Sequence, residues 1–148
     1  MGELSHVDDS GRVRMVDVGA KPQSRRRARA RAEVRMRPET AQRLRELPKG
    51  DALAAAQLAG IMAAKKTSEL IPLCHPLTLS LVEVELDVGA ESVEIVSAAE
   101  TVAQTGVEME ALVAAAVAAL TIYDMAKGID SELVVGEVRL LEKTKEPV

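Results

Sequence analysis

The chain contains no phenylalanine and no tryptophan, and Tyr123 is its single tyrosine. Stacking on nucleobases therefore cannot be its main binding device. Any core must be built from Leu, Val, Ile, Met and Ala, and a hydrophobic content of 47% over 148 residues is enough for one domain. Cysteine is nearly absent as well. Cys74 stands alone, which excludes an intrachain disulfide, and with only His6 and His75 beside it no Cys/His zinc site can form within one chain. A net charge of −4 argues against a general nucleic-acid binder. The opening Met1-Gly-Glu-Leu-Ser-His6 is polar and acidic rather than a hydrophobic leader. The expectation is a soluble, cytoplasmic, single-domain protein with neither nucleic acid nor membrane as partner.

What is present is organised around one stretch, Thr105 to Gly128, which predicts a single long helix. Thr105 followed by Glu108 has the spacing of a capping box, and Gly128 stands where a left-handed C-terminal cap is expected. Between Glu110 and Asp124 no residue is charged, so the helix is expected to be buried all round, although the run is short of the roughly 20 apolar residues that span a bilayer. Glu110 and Asp124 are fourteen positions apart, on nearly the same face but about 21 Å apart along the axis at 1.5 Å per residue. One small-molecule site cannot use both from the same subunit. Two copies packed antiparallel would bring the Glu end of one to the Asp/Lys end of the other, which predicts a homo-oligomer with composite sites.

Residues 1–24 read as an irregular N-terminal segment, apart from Met15-Val-Asp17-Val. From Ala28 to Arg37 small or apolar residues alternate with charged ones, the period of a half-buried strand with a basic outer face. That face is either a solvated sheet surface or, at some arginines, a phosphate-recognising one. Pro38 opens a short helix with Leu44 and Leu47 turned inward, and Asp51 is a good N-cap for a helix running to Lys65-Lys66. Pro72 and Pro76 then hold Leu73-Cys74-His75 in a rigid, non-helical segment. Leu77–Val88 and Val93–Thr101 read as a hairpin, the long helix follows, and Leu133–Leu141 is a last strand before a short charged tail, 142–148. Without the short helix the order is βαββαβ. This predicts an α+β ferredoxin-like sandwich with one antiparallel sheet and helices on one face.

Asp124 and Lys127 lie three residues apart on one helix and can touch. An Asp in a last turn faces the negative end of the helix dipole, so it needs a reason beyond a surface ion pair. A partly desolvated Lys beside an Asp is a proton-transfer couple. Glu110 is the better functional candidate of the first turn, because Glu108 already has the capping role. His75 is structural or functional with equal claim, and Cys74 lacks the base and acid partners of a nucleophile. The residues by themselves describe acid/base chemistry on an anionic small molecule, without metal-ligand or nucleotide-loop motifs.

Several runs carry a resemblance: Met15-Val-Asp-Val18, Lys49-Gly-Asp51, Ala59-Gly-Ile-Met-Ala-Ala-Lys-Lys-Thr67, Leu70-Ile-Pro-Leu-Cys-His-Pro-Leu77, Thr105-Gly-Val-Glu-Met-Glu-Ala-Leu112 and Ala118-Ala-Leu-Thr-Ile-Tyr-Asp-Met125. In this order they resemble the MoaC-type cyclic pyranopterin monophosphate synthases of molybdenum cofactor biosynthesis. The resemblance runs from about Leu4 to Lys143. It implies a ferredoxin-like fold assembled as a hexamer, a trimer of dimers with sites at the dimer interface. It also implies a lyase that rearranges a cyclised dihydroguanosine triphosphate to cyclic pyranopterin monophosphate and releases diphosphate. By position, Asp124 and Lys127 resemble the family's acid/base pair. Leu73, Cys74, His75, Met109 and Glu110 resemble its substrate-binding segments, with Glu108 lining the same site and Lys49 and Arg26 matching cations near the triphosphate. No resident cofactor or metal is implied, and Mg²⁺ accompanying the triphosphate is left open.

Two departures stand out. Gln104 occupies a position where many members carry Lys, and no Gly-Gly-Lys-Ser-Gly run follows the last strand; if that run orders over the phosphates, either Lys143 or Lys145 substitutes for it or the chain is truncated. The alternative reading is a non-catalytic ferredoxin-like module that binds a small ligand at its interface.

Overall fold

The computed structural model describes residues 4–148; residues 1–3, the start of the expected irregular segment, lie outside the described residues. The elements are β1 (Ser24–Arg35), α1 (Pro38–Gln42), α2 (Ala52–Lys65), α3 (Thr67–Leu70), β2 (Leu79–Val88), β3 (Ser92–Ala103), α4 (Glu108–Ala126) and β4 (Val134–Pro147). The sheet order is β2-β3-β1-β4 and every neighbouring pair is antiparallel. With α2 and α4 on one face, this is the ferredoxin-like sandwich expected from the element order.

The alternation in β1 decides that layering. Ala28, Ala30, Ala32 and Val34 have no exposed surface, and across the register Val93, Ile95 and Ala99 of β3 join them on the helix side. Small side chains let α4 settle close to β1 while α2 covers β2. The two helices are closer still to each other. A Cβ at Gly60 would stand 2.9 Å from both the Ala114 carbonyl oxygen and a Val84 methyl, so only glycine fits there. Asp51 caps α2 as expected, accepting from the N–H groups of Leu53 (2.9 Å) and Ala54 (3.1 Å). Leu44 and Leu47 are buried, as the short-helix reading requires.

Five expectations need correction. α4 begins at Glu108 with Val107 as N-cap, and neither side chain of the Thr105/Glu108 pair caps it. The Glu108 carboxylate instead folds over Gly106, in space that a Cβ there would occupy. Nor does Gly128 form a left-handed cap: the helix leaves through Lys127 in right-handed geometry, and Ile129 and Asp130 donate back to the Ala126 carbonyl. The helix is not buried all round, because Leu120 and Tyr123 are exposed on its outer side. At 19 residues it reaches membrane-spanning length after all, and it is burial of about half of it within the fold that makes it a core helix.

The fifth correction concerns the tail. Residues 142–147 continue β4, paired with β1 down to Ser24 opposite Pro147. This edge segment is polar on both faces, so hydrophobic alternation cannot reveal it; backbone pairing alone makes it a strand. The strand bulges where Glu137 takes a left-handed backbone (φ 48°), which aims its carboxylate at Arg31 (3.2 Å) and Arg139 (3.1 Å). The open face of the sheet neutralises the β1 arginines by pairing: Arg27 with Glu100 at 2.6 Å, Arg29 with Glu142 at 3.6 Å, and Arg31 with Glu33 and Glu94 at 3.3 Å each. These three are sheet ion pairs. Arg26 has the opposite parity and sits on the helix side of β1.

Candidate functional site

The two ends of α4 carry two separate clusters. At its N-terminal end lies a cavity of about 480 Å³ whose walls include Leu73, Cys74, His75, Glu108, Met109 and Glu110. These six were singled out from the sequence, and the fold brings them together. The 71–76 segment approaches α4 because β2 must start at the sheet edge directly after it. Turn hydrogen bonds, such as Cys74 N–H to the Ile71 carbonyl (3.2 Å), fix its path together with Pro72 and Pro76. The wall is completed by residues the sequence reading left unused. His6, Val16 and Val18 from the N-terminal segment line the same cavity. The available signal was the parity of Val16 and Val18 within an otherwise polar stretch.

The chemistry at this end is governed by burial. Glu110 is only 3% exposed, its Oε1 has no hydrogen-bond partner, and the Cys74 thiol donates to its Oε2 at 3.7 Å. Burial raises the Glu110 carboxyl above the usual carboxylate range. Burial, followed by the nearby Glu110 charge, pushes the Cys74 thiol up to about 11. Cys74 is therefore a protonated hydrogen-bond donor and not a nucleophile, in line with its lack of a partner base. Arg26 reaches the rim: its Nε donates to Ser24 Oγ (2.6 Å) and its Nη2 to the Gln104 carbonyl (3.5 Å), one residue before Thr105 of the cavity wall.

At the other end the arrangement is open. Asp124 accepts from Lys127 Nζ at 2.8 Å through Oδ1 and from Lys49 Nζ at 2.9 Å through Oδ2, and all three side chains are about half exposed. Lys49 arrives on the tight α1–α2 turn, where Leu47 and Gly50 bridge and Gly50 takes φ +114°. The two lysines, Lys127 first, hold the Asp124 carboxyl down to about 2, and Asp124 in turn raises Lys127. In one chain, then, Lys127 is not the desolvated, weakened ammonium the sequence reading expected. It is a fully charged donor. Desolvation is missing because nothing covers it.

Behind this cluster lies a residue no motif pointed to. Asp130, with no exposed side-chain surface, accepts from Thr40 Oγ1 (2.7 Å), from the backbone N–H of Arg37 (3.0 Å) and from that of Glu132 (2.7 Å). Burial alone would raise its carboxyl, but these hydrogen bonds outweigh it and hold it below the usual range. It holds the start of α1, whose N-cap Arg37 makes no side-chain cap, through the Arg37 N–H and the Thr40 hydroxyl. The loop that follows α4 is thereby clamped to the element that leads to Lys49.

The two clusters do not meet within one chain. The helical rise puts Glu110 about 21 Å from Asp124. Among the described residues no cluster of His, Cys, Asp and Glu is arranged to hold a metal ion.

Comparison with known proteins fits this pattern of residues. The MoaC family profile matches residues 15–146. A cyclic pyranopterin monophosphate synthase from Roseiflexus sp. (strain RS-1) is 60% identical over 148 residues, covering 97% of this chain and 94% of the relative. One from Thermomicrobium roseum is 54% identical, with 97% and 89% covered. A molybdenum cofactor biosynthesis bifunctional protein from Chlorobaculum tepidum is 53% identical over 144 residues, covering 96% of this chain but 46% of that longer protein. Matches of this extent, with the cavity and the lysine–aspartate cluster both in place, establish that the chain belongs to the MoaC family.

Proposed function

We propose that the protein is a cyclic pyranopterin monophosphate synthase, a cytoplasmic diphosphate-releasing lyase whose active site is completed by a second copy of the chain. The observation that carries this reading is the distribution of groups along α4. A solvent-open cavity with a buried acid occupies one end and a cation pair around Asp124 the other, with exposed Leu120 and Tyr123 on the outer side. Leu58 and Met62 of α2 extend that apolar surface. An antiparallel partner helix would bury it and bring the cavity of one subunit to the lysines of the other, and three such dimers would make the hexamer.

The substrate is a cyclised dihydroguanosine triphosphate. Forming the cyclic monophosphate requires a substrate hydroxyl to attack the α-phosphorus as the bond to the β-phosphate oxygen breaks. Charge then develops on the departing diphosphate, and Lys49 and Arg26 are suited to offset it. Asp124 stays ionised between its lysines, so it holds them in place while Lys127 is the group that moves a proton. Cover by the partner and the substrate would remove water from Lys127 and weaken its hold on that proton. Leu73, Cys74, His75, Glu108, Met109 and Glu110 line the base-binding end. No step here requires a metal ion, though Mg²⁺ travelling with the triphosphate is compatible with the scheme.

Complementation tests the composite site. Lys127→Ala and His75→Ala are each expected to lose diphosphate release. After mixing and subunit exchange, activity should return to about a quarter of wild type, because half the dimers are mixed and each carries one intact site. No recovery despite proven exchange would mean that both clusters act within one chain. Binding of the triphosphate by wild type without diphosphate release would favour the non-catalytic module.

A further inference from the structure

The N-terminal segment touches the cavity at a chemically specific point. His75 Nε2 lies 2.7 Å from the backbone carbonyl oxygen of Val16. A carbonyl oxygen only accepts, so the ring nitrogen facing it must carry a hydrogen. Both neighbours of that contact are held. His75 is fixed by the turn that ends at Pro76, and Val16 and Val18 pack into the cavity wall. The segment is itself built: Asp8 accepts from the backbone N–H groups of Ser10 and Arg12, and Arg14 N–H donates to the His6 carbonyl at 2.8 Å. Nδ1 of His75 has no hydrogen-bond partner among the described residues.

We propose that the backbone of Val16 is a positioning group. It commits His75 to the Nε2–H form, so that Nδ1 is the ring atom that accepts a hydrogen bond or a proton from the substrate. The argument holds for either charge state of the ring. The Val16 carbonyl takes the Nε2–H of the neutral imidazole and of the imidazolium alike, so the proton that comes and goes is the one on Nδ1. The groups around it are Glu108 and Glu110 on α4, Cys74 on its own loop and His6 on the N-terminal segment. A substrate hydroxyl or ring N–H in the cavity would thus meet an acceptor whose orientation is set from outside the catalytic elements. The part concerning substrate rests on the function proposed above; the assignment of the hydrogen does not.

Long-range ¹H–¹⁵N correlation spectra of the uniformly labelled full chain test the assignment, with His6→Gln separating the two histidines. His75 should show a protonated Nε2 and an unprotonated Nδ1, and on acidification the large ¹⁵N shift should occur at Nδ1. A neutral ring protonated at Nδ1 would overturn the proposal. Turnover provides the second arm. His75→Asn places an amide oxygen near the Nδ1 position, whereas His75→Gln reaches only the Nε2 position. With both variants folded by circular dichroism, kcat for Asn should exceed that for Gln by tenfold or more at similar KM. Equal values, or the reverse order, would remove Nδ1 from the reaction. If wild type itself released no diphosphate, the proposed function would fall while the spectra still decided which nitrogen holds the hydrogen.

Discussion

The two ends of α4 shift their carboxylates in opposite directions. At the N-terminal end Glu110 is buried with one oxygen unpartnered, and its carboxyl is raised. At the C-terminal end Asp124 is half exposed between two ammonium groups, and its carboxyl is lowered to about 2. Helix position alone predicts the reverse. An acid in the first turn is favoured by the dipole and one in the last turn opposed, by at most about 1 kcal/mol at exposed sites. Desolvation at one end and two direct cation contacts at the other outweigh that effect. The contrast teaches that exclusion of water shifts a carboxyl toward keeping its proton, whereas supplied cation partners shift it toward charge.

Three changes would break or sharpen this contrast. The largest effect is expected at the open end: Lys127→Ala should lower kcat by roughly 10²–10⁴-fold, the usual contribution of a positioned proton-transfer group, with the fold intact by circular dichroism. Turnover within threefold of wild type would remove the role given to Lys127. Next comes the clamp behind that end. Asp130→Ala leaves the Arg37 and Glu132 N–H groups and the Thr40 hydroxyl without their acceptor, at a cost of roughly 1–3 kcal/mol in denaturant unfolding. The Asp130 carboxyl is lowered on folding, so its contribution is present above the unfolded-state pKa and is lost as pH falls through the folded one. The difference between wild type and Asp130→Ala should therefore shrink in acid.

The smallest effect, and opposite in sign, is expected at the buried end. Folding raises the Glu110 carboxyl, so its protonated form favours the native state below the unfolded-state pKa, and that contribution is lost as pH rises through the folded value. Glu110→Gln should accordingly raise Tm relative to wild type at pH 8 more than at pH 4. The same substitution removes a neighbouring charge from Cys74, so alkylation of that thiol should set in at lower pH. A Tm difference independent of pH would show that folding leaves the Glu110 carboxyl unshifted.

Much of the fold was legible because it rests on local periodicity. The Ala28–Met36 alternation, the Asp51 cap and the inward Leu44 and Leu47 follow from residue spacing alone. The Thr105/Glu108 spacing misled, because a capping box is a local rule and here Glu108 turns over Gly106 beside the cavity. The last stretch of β4 was illegible for a related reason. Strand pairing by backbone leaves no trace in an edge segment polar on both faces. Within the site, the residues carried on recognisable motifs fell into their two clusters, whereas Asp130 and the carbonyl of Val16 were invisible because their roles consist of contacts between distant segments.

The sequence by itself determined the layer order, the family and the separation of acid from lysine along one helix, since these depend on spacing and on residue type. Only the tertiary structure decided the raised carboxyl of Glu110, the second partner of Asp124, Lys49, and the orientation of His75. Each of those depends on which groups exclude water or reach across from another element, and chain order does not record that distance.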